Sequence, residues 1–341
     1  MSAVAPFEFG VVPGPVVHDI VRADLAGIVD VVAAAYRAHA AGHTVNPASL
    51  FLRFADRPSA RIIALPAHLG GDRPVSGLKW IASYPGNVRR GFPRASAVLV
   101  LNSYETGYPF ACLESSIISA ARTAASATLG ALALGGGRRD LERTAFIGAG
   151  VIARYIADFL IGTGFTTEAV RIHDMVPGYA EHLAEHVAAA GWPRPTLADS
   201  VAAAVAGADL VIFATTAGTP HVHDVRVFDH HPRVLHISLR DLAPEILLEA
   251  DNVVDDVDHC LTAETSPHLA ERLVGHRKFV NGTLADVLDG RVTLDGRRTA
   301  IFSPFGLGIL DLAVGRHVYE QAAAAKTLVP IGDFFHERSR W

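Results

Sequence analysis

The sequence predicts an α/β protein in which a doubly wound parallel sheet is inserted into a second, α+β domain. Three patterns carry that expectation. Across residues 144–156 the run TAFIGAGVIARYI changes from strand-like to helical through a glycine turn. After it, short apolar strand-like runs alternate with Ala-rich helical ones; before it, strand-like runs follow one another directly. Parallel neighbours need a crossover helix, whereas consecutive strands pair antiparallel through short turns, so the two halves of the chain read as different sheet types.

The glycine turn is the most informative stretch. Ala145, Phe146 and Ile147 stop at Gly148-Ala149-Gly150, and Val151, Ile152 and Ile156 resume at helical spacing. In a G-x-G-x-x-A reading, Gly148 permits the turn, Gly150 admits a pyrophosphate to the backbone, and Ala153 lets helix and strand pack closely, as in Rossmann-type domains. Free amides at the new helix N-terminus suit phosphate. The next apolar run, 169–174 (AVRIHD), ends in Asp174, where such folds carry an acid for the adenosine ribose hydroxyls. Its charge repels a 2′-phosphate, so the cofactor is read as NAD, not NADP. The competing readings are a ligand-free turn for the glycines and a helix N-cap for Asp174.

With 341 residues, half of them hydrophobic, the chain can bury two cores. A net charge of −5 with interspersed signs gives no footprint for nucleic acid or an anionic membrane, which points to a small-molecule partner. Cys112 and Cys260 lie far apart, without zinc spacing or a disulfide framework, and the compartment reads as cytoplasmic. The opening MSAVAPFEFGVVPG lacks a basic segment ahead of an apolar core, so no leader is expected. No apolar run is expected to reach the ~20 residues that span a bilayer. Among 17 histidines, His221-Val-His223 and His230-His231 invite a metal reading. They lie in polar stretches without an accompanying carboxylate or cysteine set, so they read as surface histidines and no metal is expected.

In chain order, residues 24–40 form an amphipathic helix with Asp24 as N-cap, followed by strands at 61–65, 77–82 and 95–101. The last continues through 102–107 into 108–113 as a hairpin. A long helix of small residues spans 113–134 and stops at Gly135-Gly136-Gly137. Strands are expected at 170–174, 209–215, 234–238, 252–255 and 299–303, and a closing helix at 308–325 that returns to the first domain. The division drawn is 1–130 with 309–341 for the first domain and 131–308 for the nucleotide-binding domain.

Four charges stand in apolar or small-residue surroundings: Arg53 in LFLRFAD, Lys79 in SGLKWIAS, Arg122 in SAARTAAS, and Asp241 after HISLR. A lone buried charge is too costly to be casual, so each needs a partner, either a ligand or another side chain. Arginines can hold carboxylates bidentately, a lysine can exchange protons at a C–N centre, and a carboxylate after a sheet strand can lie beside a nicotinamide.

The segments LKWIASYPGN (78–87), ETGYPFACLESSIISAARTAASATL (105–129), FIGAGVIA (146–153) and SPFGLGILDLAVG (303–315) together resemble the ornithine cyclodeaminase and mu-crystallin family, over nearly the whole chain. Within it, GFPRASAVLVLNSYETGYPFACLESSIISAARTAASA and ISLRDLAPEI are most similar to the branch that makes 2,3-diaminopropionate for siderophores and peptide antibiotics. The resemblance implies NAD-dependent oxidation of a secondary amine in an amino-acid conjugate, giving L-2,3-diaminopropionate and 2-oxoglutarate, by a homodimer assembled through the first domain. It further implies Arg53, Lys79 and Arg122 on a substrate carboxylate, Arg122 also touching cofactor, and Lys79 with Asp241 as acid/base groups. For NAD it implies Gly148, Ala149, Gly150 and Val151 at the pyrophosphate, Asp174 at the ribose, then Thr215 and Thr216, with Ile237, Ser238, Leu239 and Ser303 around the nicotinamide. Two departures separate the chain from the cyclodeaminases. Arg240-Asp241-Leu242-Ala243-Pro244-Glu245 replaces a Gly-Asp followed by a Pro-Gly-Lys turn, and Pro93-Arg94 replaces a Pro-Thr, which makes Arg94 a candidate contact to an anionic substrate. The other readings are an ornithine cyclodeaminase, a ketimine or alanine dehydrogenase, or a non-catalytic mu-crystallin-like binding protein.

Overall fold

The structure is a computed structural model that describes residues 8–294 and 296–336; the first seven residues of the opening read above as carrying no leader lie outside them. The chain begins with β1 (Phe9–Val12), α1 (Gly14–Ala23), α2 (Leu25–Ala40), β2 (Thr44–Val45), β3 (Leu50–Phe54), β4 (Arg57–Leu69), β5 (Val75–Ser83), β6 (Ala95–Ser103), β7 (Pro109–Glu114) and α3 (Ser116–Leu134). It continues through β8 (Asp140–Ile147), α4 (Val151–Gly162), β9 (Thr166–His173), α5 (Pro177–Ala189), β10 (Thr196–Leu197), α6 (Val201–Val205), β11 (Leu210–Phe213) and β12 (Arg233–His236). Then follow α7 (Pro244–Leu248), β13 (Asp251–Val254), α8 (Val257–Cys260), α9 (Ser266–Val274), β14 (Val280–Thr283), α10 (Leu284–Leu288), β15 (Ala300–Ser303), α11 (Gly308–Ala324) and β16 (Val329–Ile331).

Two compact units result, Met1–Arg122 with Leu307–Trp341, and Thr123–Gly306. The first boundary falls inside α3, eight residues before the 130/131 division drawn from the sequence (130 − 122), because nothing in an unbroken helix of small residues marks where its packing changes partner. Two expectations about that helix need correcting. It starts at Ser116, not 113, since Leu113 and Glu114 finish β7 and the Glu114 carboxylate accepts the amides of Ser116 (2.7 Å) and Ile117 (3.2 Å). It is also long and apolar enough to cross a membrane by length and composition, contrary to the reading that no run is; 61% of that window is buried inside the protein, as a core helix would be.

In the first unit the sheet order is β16-β1-β7-β6-β5-β4-β2, with β3 also on β4, and every pairing is antiparallel except β1 with β7. The expected helix from 24 and the 95–113 hairpin are both present, Asp24 accepting Gly27 N–H as a true N-cap. Opposed residues of an antiparallel pair share a face. Leu65, Lys79 and Leu99 therefore stand on one face, as do Arg53, Arg61 and Ser83 further along; Leu50, Ala64, Trp80 and Val98 stand on the other. Helix α11 covers the first face over β4 to β6, its Leu312 so close that a side chain at Gly77 would meet it at 2.7 Å. The closing helix thus packs on the first sheet, but it is not the amphipathic helix its sequence suggests: Gly308 to Gly315 are all buried, so it is enclosed on every side there.

In the second unit the order β10-β9-β8-β11-β12-β15-β13-β14 is parallel throughout, the doubly wound sheet of a Rossmann-type domain. Strands β11, β12, β13 and β15 are buried at every residue, which is why β11 reads as a continuous apolar run and not as an alternation; the others also bury polar side chains such as Arg233, His236 and Asn252. Ala145, Ile147, Val211, Phe213, Val234 and Ile301 from the strands pack with Ala204, Ile246 and Leu247 from flanking helices. The order reverses between β8 and β11, where such sheets open a crevice at their carboxyl ends.

Candidate active site

In the second unit the glycine turn follows β8 at that reversal. Gly148 adopts φ +89°, and a Cβ on it would lie 2.6 Å from Ala214 O, so the left-handed turn and the close approach both demand glycine. Gly150 is the N-cap of α4; no side chain caps the helix there, and a Cβ would meet nothing within 4 Å. The helix amides thus face open space that a pyrophosphate can enter, and Val151 stands exposed beside them. Asp174 directly follows β9 and accepts Ala149 N–H and Val176 N–H, each at 2.8 Å. It caps no helix by its side chain, since α5 begins with Val176 as its uncapped N-cap. These residues fit a dinucleotide.

The carboxyl ends of β11 and β12 carry the second cluster. Asp241 is fully buried and accepts hydrogen bonds from Thr215 Oγ1 (2.5 Å), from Ser238 Oγ, and from His221 Nε2 at 3.0 Å. Backbone links hold the two loops together, with His221 and Val222 N–H both donating to Asp241 O at 2.9 Å. His236 Nε2 lies 3.1 Å from Asp241 N and 3.4 Å from Oδ2. Its Nδ1 lies 3.3 Å from Ser303 Oγ. Burial alone would raise the Asp241 carboxyl, but the contacts from His221, His236 and Ser238 outweigh it and hold the group well below the usual carboxylate range. Leu239 takes φ +69°, a strained setting for a leucine, between Ser238 and Asp241; Ile237 is half-buried nearby in sequence, and Thr216 is exposed. The reading of His221 as a plain surface histidine is therefore incorrect: its side chain is 38% exposed, yet one ring nitrogen is tied to the buried carboxylate. Among the described residues no group of three or more His, Cys, Asp or Glu side chains gathers as a metal site would need.

In the first unit, Lys79 of β5 is buried against α11 and α3. Its Nζ donates to Asp311 Oδ2 at 2.7 Å and to Ser119 Oγ at 3.2 Å. Arg122 Nε lies 3.3 Å from Asp311 Oδ1, near enough for ion-pair attraction but off the hydrogen-bond line, so neither atom is saturated. Burial drives the Lys79 ammonium down to about 8; Asp311 opposes that shift and Arg122 adds to it. Two cations around one carboxylate leave an uncompensated positive charge in a buried place, the condition an anionic ligand relieves. Asp311 was missing from the candidates read off the sequence, although GILDLAVG sets a charge among apolar residues just as SGLKWIAS does. Arg53 departs from its expected setting: it lies exposed on edge strand β3, its guanidinium 5.1 Å over the Phe51 ring, with no buried partner. Arg94 donates to Ser83 Oγ at 3.4 Å.

A parallel sheet with a dinucleotide turn, in a chain that also buries the cationic Lys79–Arg122 pair around Asp311, defines an NAD-dependent oxidoreductase of small amino-acid substrates. The chain belongs to the ornithine cyclodeaminase/mu-crystallin family, whose model matches residues 17–326. It is 31% identical over 313 residues to N-((2S)-2-amino-2-carboxyethyl)-L-glutamate dehydrogenase of Staphylococcus aureus, covering 86% of this chain and 89% of that one. An archaeal alanine dehydrogenase dimer with bound NAD superposes with a TM-score of 0.83 at 25% identity, covering 96% of this chain and all of that one (100%). The Thermococcus litoralis Delta(1)-pyrroline-2-carboxylate reductase, solved with NADH and L-proline, has the same fold at a TM-score of 0.86, 22% identity and 95% and 100% coverage.

Proposed function

We propose that the protein oxidises N-[(2S)-2-amino-2-carboxyethyl]-L-glutamate with NAD⁺ and water, giving L-2,3-diaminopropionate, 2-oxoglutarate and NADH, as a supply step for siderophore or peptide natural products. The observation that carries this reading is the buried Lys79–Arg122–Asp311 cluster with its excess positive charge, which suits the α-carboxylate at the carbon to be oxidised. NAD⁺ would supply the hydride acceptor; the Gly148–Val151 turn and Asp174 would hold it, together with Thr215, Thr216, Ile237, Ser238, Leu239 and Ser303. Loss of hydride from the glutamate α-carbon and of the amine proton leaves a C=N bond; water adds to that carbon, and the C–N bond then breaks with a proton passing to the departing amine.

The protein's part is to bind, orient and move those protons. Arg122 grips the carboxylate through its unsaturated guanidinium. Lys79, held near 8, takes the amine proton and returns one at the leaving nitrogen. Asp241 is fully buried and saturated with donors, so it serves as the anion that orients His221 and Thr215. Arg53 and Arg94 meet further carboxylates. The working form is a cytoplasmic homodimer, supported by an exposed apolar row on the first unit's uncovered sheet face, Leu50, Leu52, Trp80 and Val98.

Purified protein is to be incubated with NAD⁺ and either the conjugate, L-ornithine or L-alanine, following NADH and identifying products by mass. NADH with 2-oxoglutarate and diaminopropionate from the conjugate is the expected result. Proline and ammonia from ornithine without net NADH, or pyruvate from alanine, would transfer the protein to another branch of its family.

A further inference from the structure

On the face of the first sheet that carries Lys79, a second group of cations lies further along the strands. Arg53 of β3 is directly opposite Arg61 of β4, and Arg61 is directly opposite Ser83 of β5. Arg94, entering β6, donates to Ser83 Oγ. Like charges set directly opposite one another weaken a strand pair. Arg94 feels that repulsion: burial first, and then Arg61, push its guanidinium below its ordinary value. The carboxylate in the β3–β4 turn, Asp56, is paired with Arg57 at 3.5 Å. Among the described residues no carboxylate lies in ion-pair contact with Arg53, Arg61 or Arg94. Ser83 lies four residues from Lys79 on the same strand, about 13 Å along it at ~3.3 Å per residue, a span that arginine side chains shorten from their end.

We propose that Arg61, with Arg94 and Arg53, forms a second anion subsite that binds the distal carboxylates of the substrate and so selects amino acids with a carboxylate tail over monocarboxylates. This rests on the reading above, in which Lys79 and Arg122 hold the α-carboxylate. Arg61 is the new member, in a position no sequence signal marked. The subsite explains how a fold shared with an alanine dehydrogenase accepts a tricarboxylate: three arginines kept in mutual repulsion are relieved by ligand charge, and a methyl or alkyl tail leaves the repulsion in place.

The test measures binding of 2-oxoglutarate and 2-oxopentanoate, equal in length and differing in the distal carboxylate, to the NADH-bound protein by titration calorimetry. Wild type is expected to prefer 2-oxoglutarate by about tenfold or more, the worth of one charge-assisted contact. R61Q and R94Q, made separately, are expected to bring the two affinities within about threefold of each other. Their ligand-free melting temperatures should be equal to or above wild type, since each removes a repulsion; a lowered melting temperature in both would mark the arginines as structural and overturn the subsite. No preference in wild type, or a preference surviving intact in both variants, would overturn it equally. If the preference behaves as expected while the conjugate is not oxidised, the proposed reaction falls and the subsite stands.

Discussion

Lys79 is the residue on which charge, burial and chemistry meet. Its folded value is pushed from 10.5 to about 8, chiefly by burial. Below about pH 8 the lysine is protonated in folded and unfolded chains alike, and its buried charge weighs against folding. Between about 8 and 10.5 the unfolded chain holds the proton and the folded one releases it, so this group makes stability rise with pH across that window. Urea melts of wild type and K79M at about pH 7 and about pH 10 should show wild type gaining on the variant at the higher pH. Parallel behaviour would mean that Lys79 is not perturbed by burial. Its counter-ion is the more fragile partner: Asp311→Asn strands two buried cations and should cost ~3–5 kcal/mol. The double variant K79M/D311L, which removes a cation along with the carboxylate, should recover part of that stability and none of the activity.

At the scale of elements, the strand–turn–helix from β8 into α4 couples backbone geometry to cofactor binding. Gly148→Ala forces a side chain into the left-handed region and against Ala214 O, at a cost of roughly 1–2 kcal/mol from the backbone alone. Because Ala214 leads directly to Thr215, the shift should also disturb the hydroxyl that contacts Asp241. NAD affinity measured by calorimetry is expected to fall in this variant beyond what its lowered stability explains. Asp174→Ala tests the neighbouring element. It frees the Ala149 and Val176 amides and removes the acid proposed for the ribose, so NAD should bind about tenfold more weakly while the melting temperature of the free protein moves little. Unchanged NAD affinity would contradict the ribose assignment and leave Asp174 as a purely local tether of the turn.

For the whole molecule, the uncovered face of the first sheet is the feature that calls for a partner. Leu50 is 66% and Trp80 40% exposed, and with Val98 they lie in one row across β3, β5 and β6. A second copy seated on that row is the simplest way to remove it from water. Trp80→Glu should convert the species seen by light scattering from dimer to monomer without unfolding either unit, since this side chain points away from the α11-covered core. A wild-type monomer at micromolar concentration, or a dimer indifferent to the substitution, would exclude this face as the interface.

The strand–glycine–helix turn, the acid closing the following strand, the alternation that makes a parallel sheet and the apolar stripe of α2 were all legible in the sequence, because each depends on neighbours a few residues apart. Local periodicity and turn chemistry determine such elements before any long-range contact forms. Tertiary structure decided the rest. Asp311 joins Lys79 across 232 positions, His221 becomes the exposed arm of Asp241 through a loop-to-loop hydrogen bond, and Arg53 faces Arg61 because of strand register. Helix α3 passes from one unit to the other without any break in its pattern. Which charges share a buried site is set by how strands and helices pack, and packing partners distant in the chain leave no periodic trace in the residues that precede or follow them.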